Sequence, residues 1–308
     1  MASIAPNYIV FAGNSHPKLA REIAKQLDVN LGKVKIDRFP DHEISIQIQE
    51  NVSDKDVFII QSLALEPNDY LMELLILVDA LKRASPRRIT AIIPYLGYCR
   101  QDRQDKPCVP ITARLVADLL QVAGIDCVVT ADLHAGQLQG FFDIPVIHLH
   151  CMPLLLEAFK KLKTKNLVVV TPDVGSIKLG RDYAHQLGVH LAVANKQRLK
   201  TQQVDVLEIM GDIKGKDVLL ADDMCSTGAT LVSAAKACRE KGAKTILASV
   251  THGLFVGKAL EQISQSPIEA LMTTDTVPFK GSVGKATNKV HVASTAPLFA
   301  DAIKALAQ

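Results

Sequence analysis

The segment KDVLLADDMCSTGATLVSAAKACREKGA, residues 216–243, contains an apolar strand, a loop of small residues and an amphipathic helix, in that order. The strand covers residues 218–221 and runs into two carboxylates, Asp222 and Asp223, and the helix is expected to begin near Thr230. Strand, loop and helix in this order form the repeating unit of a parallel sheet covered by helices. Because ligands of such sheets bind at the carboxyl ends of the strands, the loop is a candidate binding site.

Short apolar runs alternate with helical patterns along the whole chain. Examples are YIVFAG at residues 8–13, HPKLAREIAKQL at residues 16–27 and DVFIIQS at residues 56–62. The alternation predicts an α/β fold of mostly parallel sheets flanked by helices. Residues 18–27 also match residues 178–187, which is typical of an internal duplication. The sequence of 308 residues therefore predicts two tandem copies of one domain, residues 1–149 and residues 150–308.

The two copies differ where one pair of matching strands ends. Residues 216–221 match residues 55–60, but the first run continues into Asp222 and Asp223 and the second into Gln61 and Ser62. We therefore expect the second copy to carry a site that the first copy lacks.

Composition excludes several classes of partner. The chain has 35 basic and 32 acidic residues and no basic run that would follow a nucleic acid backbone. No stretch approaches the ~20 consecutive apolar residues of a spanning helix, and the start lacks the pattern of a signal peptide. Six cysteines without a C-x-x-C pair indicate reduced thiols. We expect a cytoplasmic protein that binds neither nucleic acid nor membrane.

The residues after the acidic strand end suit a sugar phosphate. Small side chains let backbone N–H groups converge on a phosphate at the helix N-terminus; these residues are Ser226, Thr227, Gly228, Ala229 and Thr230. Asp222 and Asp223 can accept hydrogen bonds from vicinal sugar hydroxyls. The alternative is an acidic turn before an N-capped helix. The chain contains neither G-x-x-x-x-G-K-[ST] nor G-x-G-x-x-G, so P-loop and Rossmann sites are not expected.

ADDMCSTGAT resembles the loop of phosphoribosyltransferases that binds 5-phosphoribosyl 1-diphosphate (PRPP). Nearly the whole chain resembles the ribose-phosphate pyrophosphokinase family. The matching segments are RFPDHEISIQI (38–48), YCRQDRQDK (98–106), TADLHAGQLQGFFDIPV (130–146), TPDVG (171–175) and NKQR (195–198). The resemblance implies two phosphoribosyltransferase-like (type I) domains. It also implies transfer of diphosphate from MgATP to ribose 5-phosphate, which yields PRPP and AMP for nucleotide biosynthesis.

The resemblance assigns ATP to two segments of the first copy. Phe39, Asp41 and Glu43 would hold the adenine and ribose, since an aromatic ring and two acceptors suit a purine with an amino group. The alternative for Asp41 taken alone is a surface turn before an alternating strand. Arg100 and Gln101 would contact the ATP phosphates.

The metal and the catalytic cations are also implied by the resemblance. His134 and Asp173 match the family's Mg²⁺ positions, with Asp132 as a further candidate, although Mg²⁺ prefers oxygen ligands. Lys196 and Arg198 match the catalytic loop and would stabilise charge on the transferred diphosphate.

Other features leave alternatives open. His148, His150 and Cys151 lie close together, and we interpret them as packing at a domain junction rather than as a metal site. Ser226 and Ala229 stand where the family often has Asp and Gly. The rival functions are a phosphoribosyltransferase and a catalytically silent subunit that regulates an active one. The resemblance also implies a homo-oligomer, most often a hexamer.

Overall fold

The computed structural model describes residues 7–160, 162, 164–198, 205–279 and 287–308. The chain divides into two compact units. The first consists of the described residues of Met1–His150, Thr276–Pro278 and Ser294–Gln308. The second consists of the described residues of Cys151–Asp275 and Phe279–Ala293. Within the described residues, no helix has the length and apolar character needed to cross a membrane.

The first unit has a five-stranded parallel sheet in the order β1-β4-β5-β6-β7, and a separate antiparallel hairpin of β2 and β3. Its strands are β1 Tyr8–Ala12, β2 Val34–Arg38, β3 Ile44–Ile48, β4 Asp56–Ile60, β5 Arg88–Ile93, β6 Cys127–Ala131 and β7 Val146–Leu149. Its helices are α1 Pro17–Leu27, α2 Pro67–Lys82, α3 Thr112–Ala123, a 3-10 turn Gly136–Phe141 and α8 Ala296–Leu306.

The second unit has a seven-stranded sheet in the order β10-β9-β8-β11-β12-β13-β14, in which β9 and β10 are antiparallel and the other pairs are parallel. Its strands are β8 Leu167–Thr171, β9 His190–Arg198, β10 Asp205–Met210, β11 Asp217–Cys225, β12 Thr245–Gly253, β13 Ala270–Thr274 and β14 Val290–Ala293. Its helices are α4 Met152–Lys160, α5 Ile177–Leu187, α6 Ala229–Glu240, α7 Ala259–Gln265 and a 3-10 turn Thr287–Lys289.

The two sheets repeat one topology. The order β1-β4-β5-β6-β7 has its counterpart in β8-β11-β12-β13-β14. Every residue of β4, β6 and β13 is buried, because helices cover both faces of a parallel sheet. The predicted α/β class, with two mostly parallel sheets flanked by helices, is confirmed.

The last helix groups with the first unit, whereas the predicted second domain runs over residues 150–308. Helix α8 packs on α1, and the Ser294 hydroxyl donates to Glu22 at 3.1 Å. The Arg88 guanidinium also donates to the Leu306 carbonyl. The apolar face of α8, which includes Phe299 and Ile303, is thereby buried in the first unit. A duplication pattern cannot reveal this packing, since the partner helix is distant in sequence.

Candidate functional site

The acidic strand end lies at a reversal of strand order in the second unit. From β8 the chain continues to β9 on one side, while β11 pairs with β8 on the other. Ligands of open α/β sheets bind at the carboxyl ends of the strands at such a reversal. Strand β11 is longer than the sequence indicated, so Asp222 and Asp223 lie within it. Helix α6 begins at Ala229, next to the predicted start near Thr230.

Asp222 is a half-buried carboxylate fixed by its neighbours. Its Oδ1 atom accepts hydrogen bonds from the Ser176 hydroxyl at 2.7 Å and from the Asp223 N–H at 3.0 Å. Burial, together with the charges of Asp223 and Asp173, raises the pKa of Asp222 to about 7 against the opposing effect of these hydrogen bonds. The fold therefore disfavours the charged form of Asp222.

The loop after β11 leads into a helix start that no side chain caps. Gly228 is the N-cap of α6 with φ 81° and ψ −9°, and no side chain caps the helix there. The loop is held by hydrogen bonds from the Phe255 N–H to the Cys225 carbonyl at 3.1 Å and from the Val256 N–H to the Ser226 carbonyl at 3.0 Å. Backbone N–H groups at an uncapped helix start, together with the helix dipole, favour a phosphate.

Asp173 and Asp222 both accept a hydrogen bond from Ser176, a residue that the sequence did not indicate as part of the site. Asp173 is exposed in the loop after β8, and its Oδ1 accepts from the Ser176 N–H at 3.0 Å and the Ser176 hydroxyl at 3.1 Å. Ser176 thus contacts one residue from the predicted metal set and one from the predicted sugar set. A serine just before a helix is normally interpreted as a cap, so the sequence carried no signal of this contact.

The matching position in the first unit is filled by protein side chains. Glu73 of α2 is 3% exposed and accepts hydrogen bonds from the Asn14 N–H at 2.7 Å, the Asn14 side chain at 2.9 Å and the Gln61 side chain at 2.8 Å. A Cβ atom at Gly13 would lie 2.3 Å from Gln61 Oε1. Gln61, which matches Asp222 in sequence, is thus engaged with Glu73 in the first unit. That only the second copy carries the sugar-phosphate site stays a prediction.

The first unit presents the ATP candidates on two exposed segments. Phe39, which is 53% exposed, and Glu43 close the turn of the β2–β3 hairpin, with the Phe39 N–H donating to the Glu43 carbonyl at 2.8 Å. Asp41 lies in this turn and accepts from the Glu43 N–H at 3.3 Å. Arg100 and Gln101 are exposed before α3. An aromatic ring and acceptors are the groups that a purine site would use, and the assignment of ATP to these residues stays a prediction.

Gln101 is fixed at the start of α3. The Thr112 hydroxyl donates to its side-chain oxygen, and the Ala113 N–H donates to its carbonyl at 3.1 Å. Its amide nitrogen is the group that can donate to a phosphate oxygen.

Asp132 and His134 follow β6 in the first unit. Asp132 has φ 34°, and its Oδ1 lies 3.4 Å from His150 Nδ1, while His134 is exposed. Asp132, His148 and His150 place ligand atoms within 4.8 Å of one another. However, the Leu133 N–H donates to His148 Nε2 at 2.9 Å, so the neutral ring of His148 carries its proton on Nδ1. His148 could bind a metal only by losing that hydrogen bond.

The predicted metal residues include a carboxylate in each unit. Asp132 of the first unit and Asp173 of the second each offer the oxygen atoms that Mg²⁺ prefers. Asp173 and Asp223 also lie near enough to Asp222 for their charges to add to the effect of burial in raising its pKa.

The predicted catalytic cations lie on β9. Lys196 pairs with Leu207 and Arg198 with Asp205 of β10, so both belong to one extended segment two residues apart. Their side chains lie outside the part of the chain that the structure describes.

Two family models match the chain. Residues 8–124 match the N-terminal domain of ribose phosphate pyrophosphokinase, and residues 196–308 match a phosphoribosyl synthetase-associated domain. The ribose-phosphate pyrophosphokinase of Clostridium perfringens is 48% identical over 306 residues, which are 98% of this chain and 95% of the relative. That of Ralstonia nicotianae is 47% identical over 294 residues, or 95% and 93% of the two chains.

A solved structure agrees with the sequence relatives. The crystal structure of phosphoribosylpyrophosphate synthetase from Mycobacterium smegmatis superposes with a TM-score of 0.92 at 40% identity, covering 97% of this chain and 98% of that one.

Proposed function

Because the chain belongs to the ribose-phosphate pyrophosphokinase family, we propose that it transfers the β,γ-diphosphoryl group of MgATP to the anomeric hydroxyl of ribose 5-phosphate. The products are PRPP and AMP. The observation that carries the proposal is the pairing of Asp222 with the uncapped start of α6 at the strand-order reversal of the second unit.

The sugar phosphate binds at this pairing. Asp222 and Asp223 accept hydrogen bonds from the ribose hydroxyls, and the 5-phosphate lies against the N–H groups of residues 226–230. These two contacts orient the sugar so that its anomeric hydroxyl faces the diphosphate donor.

ATP binds to the exposed segments of the first unit. Phe39 stacks on the adenine, Asp41 and Glu43 accept from its polar groups, and Arg100 and Gln101 donate to the phosphates. A bond forms between the anomeric oxygen and the β-phosphorus, and the bond from the β-phosphorus to the α-phosphate oxygen breaks, with its electron pair leaving on AMP. The hydroxyl proton is lost to solvent.

The charge of the transferred group is balanced by cations. Lys196 and Arg198 donate to the diphosphate as negative charge develops on it. His134 and Asp132 in the first unit, and Asp173 in the second, are each proposed as Mg²⁺ ligands; the ion would neutralise charge on the phosphate oxygens.

The test is formation of AMP and PRPP from ATP, ribose 5-phosphate and Mg²⁺, quantified by chromatography. The proposal expects equal amounts of both products and none when ribose 5-phosphate is omitted. A chain that makes no product but changes the activity of an added synthetase would be a silent regulatory subunit. A chain that consumes PRPP and a nucleobase without ATP would be a phosphoribosyltransferase.

The assembly and location follow from the same proposal. We expect a cytoplasmic homo-oligomer, and among assemblies we favour the hexamer. Light scattering after size-exclusion chromatography measures the number of subunits.

A further inference from the structure

The Ser176 hydroxyl lies between carboxylates from two different elements. It is 3.1 Å from Asp173 Oδ1 in the loop after β8 and 2.7 Å from Asp222 Oδ1 in β11. A hydroxyl carries one proton, so it donates to one of these two oxygens at a time. The orientation of one carboxylate therefore depends on the state of the other.

The internal duplication shows that this arrangement is not a feature of every helix start in the fold. Residues 18–27 match residues 178–187, so His16 corresponds to Ser176. His16 caps α1 in the usual way, since its Nδ1 accepts from the Leu19 N–H at 3.3 Å. Ser176 is the N-cap of α5 but makes no side-chain cap hydrogen bond. Its hydroxyl is directed to the two carboxylates instead.

Asp222 is held through one of its oxygens. Ser176 and the Asp223 N–H both donate to Oδ1, which among the described residues leaves Oδ2 for a sugar hydroxyl. When the Ser176 hydroxyl donates to Asp173, Oδ1 of Asp222 loses one of its two hydrogen bonds. Once the Asp173 carboxylate holds a cation, its Oδ1 is a weaker acceptor, and the Ser176 proton then goes to Asp222.

We propose that Ser176 is a positioning residue that couples the binding of a divalent cation at Asp173 to the binding of a sugar phosphate at Asp222. The identity of the sugar phosphate, ribose 5-phosphate, rests on the proposed function. The coupling is positive, because the cation commits the hydroxyl to Asp222 and fixes its carboxylate for the sugar. By linkage, the sugar phosphate must raise the affinity for the cation by the same factor.

The experiment measures this factor on the full chain without nucleotide and without turnover. Mn²⁺ replaces Mg²⁺ as a spectroscopic probe, and electron paramagnetic resonance of free Mn²⁺ gives its Kd with and without saturating ribose 5-phosphate. We expect ribose 5-phosphate to lower the Kd of wild type at least ~5-fold, the lower end of typical couplings. Ser176→Ala should reduce this factor at least threefold. Some coupling remains, since the cation also offsets the charge around Asp222 directly.

Two variants make the result specific. Ser176→Thr keeps the hydroxyl and should retain the wild-type factor. Ser264→Ala, in α7 of the same unit, removes a hydroxyl that donates to the Glu261 carbonyl and should also leave the factor unchanged. Circular dichroism and thermal unfolding confirm that each variant is folded.

The proposal is overturned if wild type shows no coupling, if Ser176→Ala keeps the full factor, or if folded Ser176→Thr loses it. The proposal is also overturned if Ser176→Ala changes the Kd of Mn²⁺ but ribose 5-phosphate still lowers that Kd by the wild-type factor. Ser176 would then support only the cation site. Because no turnover is needed, a chain that forms no PRPP but shows the Ser176-dependent factor would refute the proposed function and keep this inference.

Discussion

Asp222 is a residue whose ionisation the fold perturbs strongly. Its pKa is raised from 3.8 to about 7, so between these values the folded chain binds a proton that the unfolded chain has released. Stability contributed at this position is therefore present below pH 4, falls as the pH rises towards 7, and stays low above it.

This sign predicts the behaviour of Asp222→Asn in the absence of divalent cations. The uncharged side chain removes the cost of ionising a buried carboxyl group. The Tm of the variant relative to wild type should therefore rise from pH 4 to pH 7 and exceed the wild-type Tm by about 2–4 °C at pH 8. Thermal unfolding across pH in EDTA measures the difference. Asp182→Asn on the exposed side of α5 gives the reference. A gain that shrinks as the pH rises would contradict the raised pKa.

Replacing Lys196 should lower the turnover number while leaving substrate binding nearly unchanged. We expect Lys196→Ala to lower kcat at least ~100-fold with little change in KM for ATP, because a cation used in the transition state acts on turnover. Steady-state kinetics measures both constants, and exposed Lys214→Ala of the same unit is the control. Near-normal turnover would remove Lys196 from the proposed mechanism.

At the scale of elements, the close packing of α5 on β8 positions the loop that holds Asp173 and Ser176. Gly180 makes the approach possible, since a Cβ atom there would lie 2.1 Å from Thr171 Cγ2 and 3.0 Å from Leu191 Cδ1. Thr171 is buried and β-branched, so it has little freedom to move aside.

Gly180→Ala should therefore destabilise the chain by about 1–3 kcal/mol, despite the better helix propensity of alanine. Urea unfolding measures the loss. Gly136→Ala is the matched control, because its Cβ atom would meet nothing within 4 Å. Equal stabilities for the two variants would show that α5 can shift without cost.

The sequence predicted those elements whose signals are local. The β11–loop–α6 unit follows from an apolar run, a loop of small residues and a helical pattern, and the structure has it with boundaries shifted by a few residues. The length of β11 was underestimated because two carboxylates are poor strand formers. The pairing with β12, which continues to Cys225 and Gly253, overrides that preference.

Contacts between distant segments could not be predicted in the same way. Ser176 and Asp222 are separated by 46 residues, and only the arrangement of β8 beside β11 brings them together. Glu73 gave no signal either, since a glutamate in a helix is usually exposed, yet it is buried against Asn14 and Gln61.

At the scale of the whole molecule, the first unit is discontinuous in sequence. Its helix α1 packs on α8, which the chain adds only after the second unit. We expect a fragment of residues 1–149 to lack a cooperative thermal transition and to bind a hydrophobic dye, since the surface of α1 that α8 covers is exposed.

Joining residues 294–308 to residues 1–150 through a Gly/Ser linker of about 15 residues should restore cooperative unfolding. The control carries the same linker and tail with Phe299 and Ile303 changed to Asp, which places charge on the buried face of α8. Equal melting curves for all three fragments would show that α8 contributes nothing to the first unit.

The discontinuity also sets an order of events during synthesis. Ribosomes add about 5–20 residues per second, so residues 1–150 wait many seconds for the helix that completes their unit. The half that is translated first thus cannot finish its packing until α8 has been made, and until then the nascent polypeptide exposes an apolar helix surface to chaperones and proteases.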